Sequence, residues 1–143
     1  MPNTYTTLAQ VYAKLPSNFV LEALDDDRDG ELDSSVWDAV AEGAAREVDG
    51  LLAMRYPTPF AGDLPAVVVN ASLYFVLETL YERRGHTGEN NPYQKRADDE
   101  RKNLRDIGAG KLPLTPSTVK KTPSVSAVTE PARTSSASGN LST

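Results

Sequence analysis

The chain contains no cysteine. A disulfide framework and a zinc–thiolate site are therefore both excluded, and the redox compartment stays open. It has a single histidine, His86, which any Ser-His-Asp or Cys-His arrangement would have to use. The surrounding ERRGHTG carries no nucleophile elbow. Beside Gly85 at a helix end, His86 reads instead as a charge that favours the helix dipole. No apolar run approaches the roughly 20 residues a membrane span needs. The N-terminal MPNTYTTLAQ has neither a basic start nor an apolar core, so no signal peptide is expected and the protein should remain in the cytoplasm or in a particle assembled there. Glycine-rich phosphate loops are missing, and GAG at 108–110 reads as a helix stop. No catalytic residue is assigned, and the chain is not expected to be an enzyme.

Hydrophobic residues make up only 39% of the 143, low for a wholly globular chain. The deficit is localised. Residues 1–110 hold 11 Lys and Arg against 19 Asp and Glu, a balance of −8. Residues 111–143 hold Lys111, Lys120, Lys121 and Arg133 against Glu130 alone, a balance of +3. An acidic body argues against wrapping nucleic acid, because neutralising phosphates needs Lys and Arg. In the last 33 residues, 13 are Ser or Thr, 4 are Pro and none is aromatic. Such a segment cannot bury enough apolar area to offset its chain entropy. Fully extended it would reach roughly 100 Å, at about 3.3 Å per residue. The expected organisation is a domain over 1–110 and an extended tail over 111–143.

Within the body, apolar spacing predicts helices. Thr6 or Thr7 can cap TLAQVYAKL, which Pro16 closes, and Ser17 or Asn18 can cap FVLEAL. Ser34 or Ser35 then caps SVWDAVAEGAAREVDGLLAMRY, whose Trp37, Val40, Ala41, Ala44, Val48, Leu51 and Leu52 form one stripe. Pro57 ends it, since the residue before a proline is pushed out of the α region. Leu64–Pro65 opens AVVVNASLYFVLETLYERR, apolar on nearly every side up to Leu80. A helix of that kind is central in a bundle or sandwiched between subunits, and a body of this size points to subunit contacts. A last, highly charged helix follows Asn90–Asn91–Pro92, with Tyr93, Ala97, Leu104 and Ile107 as its stripe and Asp98–Lys102 as an i,i+4 pair. The fold class expected is all-α, a small bundle of four to five helices with a long extended C-terminal tail.

The sharpest local signal is Asp25-Asp26-Asp27-Arg28-Asp29-Gly30-Glu31-Leu32-Asp33. It matches the first nine positions of an EF-hand loop: acids at 1, 3, 5 and 9, glycine at 6, an aliphatic at 8. Calcium needs hard oxygen ligands on alternating positions, which makes Asp25, Asp27, Asp29 and Asp33 candidate ligands. Position 12, a bidentate Glu in that motif, is Val36. The other reading is a solvated acidic turn whose carboxylates favour the N-terminus of the next helix. Paired carboxylates lie on charged helix faces or in this loop, where ordinary pKa values are expected. Basic residues gather at Arg83–Arg84 and at Lys95–Arg96 with Arg101, Lys102 and Arg105. They read mainly as surface charge and intrahelical pairing, or as an electrostatic contact with an acidic neighbour.

Three segments taken together resemble a known family. The acidic LDDDRDGELD precedes the long helix, AAREVDGLLAMRYPTPF ends it, and LRDIGAGKLPL closes the domain. The order of these segments, and the spacing of Glu47, Asp49–Gly50, Arg55-Tyr56-Pro57 and Pro59, is similar to that of the head-tail connector proteins of Mu-like phages. The resemblance covers about residues 4–114 and leaves the tail outside. It implies a compact helical adaptor forming a homo-oligomeric, dodecameric ring beneath the portal at one capsid vertex. Such a ring would join the portal protein to the next connector or tail-completion protein in the virion neck and continue the DNA channel without binding DNA specifically. Arg55, Tyr56, Pro57, Pro59 and Phe60 would fix the turn between the two main helices. Related adaptors grip the portal with extended C-terminal segments. The resemblance therefore implies that residues 111–143, with Lys111, Lys120, Lys121 and Arg133, dock on the portal and are ordered by partner subunits. The alternative is a calcium-binding helical interaction module built on the EF-hand-like loop.

Overall fold

A computed structural model describes residues 4–114, and these form α-helices with no strand. The helices are α1 (Leu8–Tyr12), α2 (Ser17–Leu24), α3 (Ser34–Leu52), α4 (Ala66–Arg83) and α5 (Gln94–Gly108), with a single 3-10 turn at Gly88–Asn90 before α5. The all-α class and the number of helices agree with the hydrophobic periodicity. Residues 115–143 lie outside the described part.

The helix starts differ from the expected caps in an instructive way. α1 is capped by Thr7, in a reciprocal box with Gln10. For α2 and α4 the cap positions fall to Pro16 and Pro65 rather than to a hydroxyl. A proline there is preset to an extended entry angle, and its carbonyl still accepts the first helical bonds: Pro16 from Phe19 and Val20, Pro65 from Val68 and Val69. Asp33, not Ser34 or Ser35, caps α3, and its side chain makes no cap bond. That carboxylate instead accepts the Asp26 N–H across the acidic loop, 2.9 Å away. α3 also ends at Leu52, short of Pro57.

α4 is the axis of the domain. It packs against α1, α2, α3 and α5. Its buried residues, including Val68, Phe75, Val76, Leu77 and Leu80, point in every direction around it. Each such side chain contributes about 1.5–3 kcal/mol of burial. The neighbours that cover α4 therefore come from its own chain. Of the two settings its all-round apolarity allowed, the described residues show the central one in a bundle: short α1 and α2 close the sides that the two long helices leave open.

α5 runs beside α3 in the same direction, and two glycines set how closely. At Gly108 an added Cβ would sit 2.3 Å from the Leu51 carbonyl oxygen, a separation that only hydrogen in place of a side chain permits. Gly110 follows with φ +84°, and the Arg55 guanidinium lies 2.9 Å from where its Cβ would be. GAG is thus a packing motif as well as a helix stop. At the same end of α3, buried Tyr5 donates a hydrogen bond to Asp49 Oδ1 (2.6 Å) and accepts one from the Phe60 N–H (2.9 Å). Its ring meets Phe60 edge-on at 6.2 Å. The YPTPF turn is therefore held from the N-terminal strap, through net contributions of about 1 kcal/mol per bond.

Candidate functional site

The acidic loop joins α2 to α3 and is closed at its base by the Asp33 N–H bonded to the Leu24 carbonyl. Inside it, carboxylates bond backbone donors: Asp25 accepts from Asp29 and Gly30, Asp27 from Asp29, and Asp29 from Glu31. Gly30 turns the chain at φ +86°, and Arg28 shares that left-handed conformation at φ 60°. The outcome is convergence. One carboxylate oxygen from each of Asp25, Asp27, Asp29 and Asp33 lies within 4.8 Å of all the others. Oxygens bound to calcium at about 2.4 Å lie at most about 4.8 Å apart, so the spread suits one such ion. The four acids at loop positions 1, 3, 5 and 9 are thus brought together, while position 12 remains apolar Val36 in the first turn of α3.

Crowding shifts the protonation of two of them, Asp25 and Asp27, against the expectation of ordinary values. Partial burial works to raise the Asp25 pKa, but N–H bonds from Gly30 and Asp29 and a hydrogen bond with Asp27 hold it below the usual value. Asp27 moves up, because it shares that hydrogen bond with Asp25, is partly desolvated and faces the charges of Asp29 and Asp33.

The residues of the turn, Arg55, Tyr56, Pro57, Pro59 and Phe60, do sit together at the far end of α3. Tyr56 and Phe60 are half-buried, while Arg55, Pro57 and Pro59 are exposed. Thr58–Pro59 is a cis peptide. Of the four basic tail residues, Lys111 is exposed just beyond α5, close to this same end. Lys120, Lys121 and Arg133 lie outside the described residues.

The functional residue that sequence reading missed is Arg101. It belongs to a run that read as surface charge, yet its side chain is only 19% exposed and its guanidinium meets carboxylates from all three long helices. These are Glu47 of α3 (2.5 Å), Glu78 of α4 (2.5 Å) and Asp98 of α5 (2.7 Å). It also lies over the Phe75 ring, 4.8 Å from the centroid. Glu78 is 4% exposed, which is tolerable for a carboxylate only with such a partner. The bonds to Glu78, working against burial, and then those to Glu47 raise the Arg101 pKa, so it stays charged at any accessible pH. The one available signal was Glu78 itself, the single charged residue of α4 before Glu82. The expected Asp98–Lys102 pair is not formed; Asp98 turns to Arg101 and Gln94, and Lys102 to Asp106.

A groove of about 460 Å³ runs between α3 and α4 over Val40, Ala44 and Phe75. The charges on its rim are already spoken for: Asp26 pairs with Arg83 and Glu47 with Arg101. His86 stacks near Tyr81 at the end of α4, 5.6 Å between centroids.

Compared with known proteins, residues 5–130 match the family described as Bacteriophage Mu, Gp36. No curated protein matches. The family match runs past residue 114, where the resemblance was expected to end, so the first part of the tail belongs to the family pattern as well.

The Arg101 cluster generates a test. Arg101→Met keeps the aliphatic stem but leaves Glu78 buried without a partner, and should cost about 3 kcal/mol in urea unfolding, the lower end for a broken buried pair because Glu47 and Asp98 are partly solvated. A loss well under 1 kcal/mol, the range of an exposed ion pair, would contradict the assignment.

Proposed function

The chain belongs to the bacteriophage Mu Gp36 family, and from that premise we propose that it is a structural virion protein, an adaptor of the head-tail connector rather than an enzyme. On this reading, copies form a ring under the portal, link capsid to tail and carry the DNA channel onward, in the virion neck after assembly in the host cytoplasm. The family match over 5–130 is the observation that carries the proposal. Two physical features support it. The interior ionisable groups are used to hold helices together: Glu78 by Arg101, and buried Glu100 by Arg96, which in turn lies over the Tyr74 ring at 4.2 Å. The described body is acidic, which suits a wall past which DNA slides without sticking.

In this proposal residues 111–143 dock on the portal, with Lys111, Lys120, Lys121 and Arg133 meeting acidic partner surface. A segment that orders only on binding covers a large area at modest affinity, which fits its composition. Deleting 111–143 should leave a folded helical domain by circular dichroism and abolish portal binding in pull-down; a truncated protein that still binds portal as well as the full chain contradicts the docking role.

A second reading is favoured by one observation, the convergence of four carboxylates in the acidic loop. Here Asp25, Asp27, Asp29 and Asp33 would hold a calcium ion, whose charge would relieve their mutual repulsion and stiffen the α2–α3 connection. With Val36 at position 12 the affinity should be weak. Calorimetric titration should give saturable calcium binding to wild type and at least about a tenfold loss for Asp27→Ala. No heat with wild type removes this reading and leaves the structural one intact.

A further inference from the structure

The two ends of α3 differ in a way that the helical fold does not require. At its N-terminal end the acidic loop exposes Asp27, Asp29 and Glu31, none of which is paired with a cation among the described residues. The opposite end lies roughly 28 Å away, for nineteen residues rising about 1.5 Å each. There, Arg55 lies against Gly110, and α5 finishes beside Leu51. Arg55, Arg105 and Lys111 are exposed at this end, and none of them enters an ion pair among the described residues. The remaining described cations are mostly committed: Arg46, Arg83, Arg84, Lys95, Arg96, Arg101 and Lys102 each face a carboxylate.

Helix dipoles explain part of this polarity, since acids favour a helix start and bases its finish. They do not explain the apolar groups. Met54 is 97% exposed and Leu112 is 43% exposed, both at the basic end and both large enough to act as anchors. Two exposed apolar side chains at the end that also gathers unpaired cations give that end the mixed composition of a contact surface.

We propose that the basic end of one copy, Met54, Arg55, Arg105, Lys111 and Leu112, docks on the acidic loop of the next copy, at Asp27, Asp29 and Glu31. The occupant is argued from charge complementarity: the chain itself carries the partner surface, six acids in nine residues. The two patches are different, so the contact is heterologous and each copy has one of each free for further copies, as a ring or open row requires. Its charges set encounter rate and register, and Met54 and Leu112 supply the dry centre. The inference rests on the structural reading for the premise that copies assemble; Lys111, which that reading also gives to the portal, is left out of the charge reversals below.

The test uses the full chain, with chelator present so that calcium cannot bridge loops. Sedimentation should show self-association in low salt that weakens in high salt. Arg55→Glu with Arg105→Glu should weaken it by about tenfold or more, and so should Asp27→Lys with Glu31→Lys. Mixing the two variants should restore association, because each supplies one native patch. Met54→Glu, which leaves the basic charges in place, should also weaken it. Circular dichroism checks that each variant is folded. Wild type monomeric at every concentration overturns the proposal. So does association that survives both charge reversals, which would assign the contact to another surface such as the tail. Variants that fail alone and still fail when mixed overturn the pairing of these two patches. None of these results depends on whether the truncated chain binds portal.

Discussion

The architecture depends on one guanidinium. Arg101 holds carboxylates from α3, α4 and α5 at once, and the deepest of these, Glu78, sits on the helix that every other helix packs against. A charge at that depth is costly unless its partner is held in good geometry. Sliding α5 along α3 by one turn would break two of the three pairs, so the cluster sets the register of the three long helices. Asn91 reinforces it nearby, donating to the Glu78 carbonyl and accepting from the Tyr93 N–H.

With that register set, the two ends of the domain acquire their separate characters. The same alignment brings Gly108 against Leu51 and Gly110 against Arg55. The GAG segment, the RYP turn and, through Tyr5, the PTPF loop thus become one assembly at the far end of α3. At the near end, Arg83 donates to the Ala23 carbonyl and pairs with Asp26, tying the acidic loop to the end of α4. The three segments whose sequence resembles the phage connectors are these two ends and the strut between them. In the proposed role, the strut keeps two contact surfaces at a constant distance and orientation.

Much of this was legible in the sequence, and the reasons are physical. Long amphipathic periods gave α3 and the stripe of α5, while Pro65 and the GAG glycines gave the start of α4 and the end of α5; α1 and α3 end before Pro16 and Pro57. The convergence of Asp25, Asp27, Asp29 and Asp33 follows from their alternating spacing around Gly30. Three features were not legible because they depend on neighbours distant in the chain. Arg101 looked like surface charge because its partners Glu47 and Glu78 lie 54 and 23 residues away. Tyr5 reaches Asp49 and Phe60 across comparable gaps. The apolar girth of α4 was ambiguous between neighbours in the same chain and neighbours in another, and short α1 and α2 resolved it. The tail calls on composition alone, and its charged residues beyond Lys111 lie outside the described part.

A protein of a Mu-like phage that uses its buried charges to stiffen a bundle, and leaves complementary surfaces at its ends, is best understood through what it assembles with. Native mass measurement of the purified protein, alone and with portal protein, addresses that most directly. The account expects a discrete assembly of many identical copies on the portal, a dodecamer if the resemblance to connectors extends to copy number. A single copy alone and no complex with portal would contradict it.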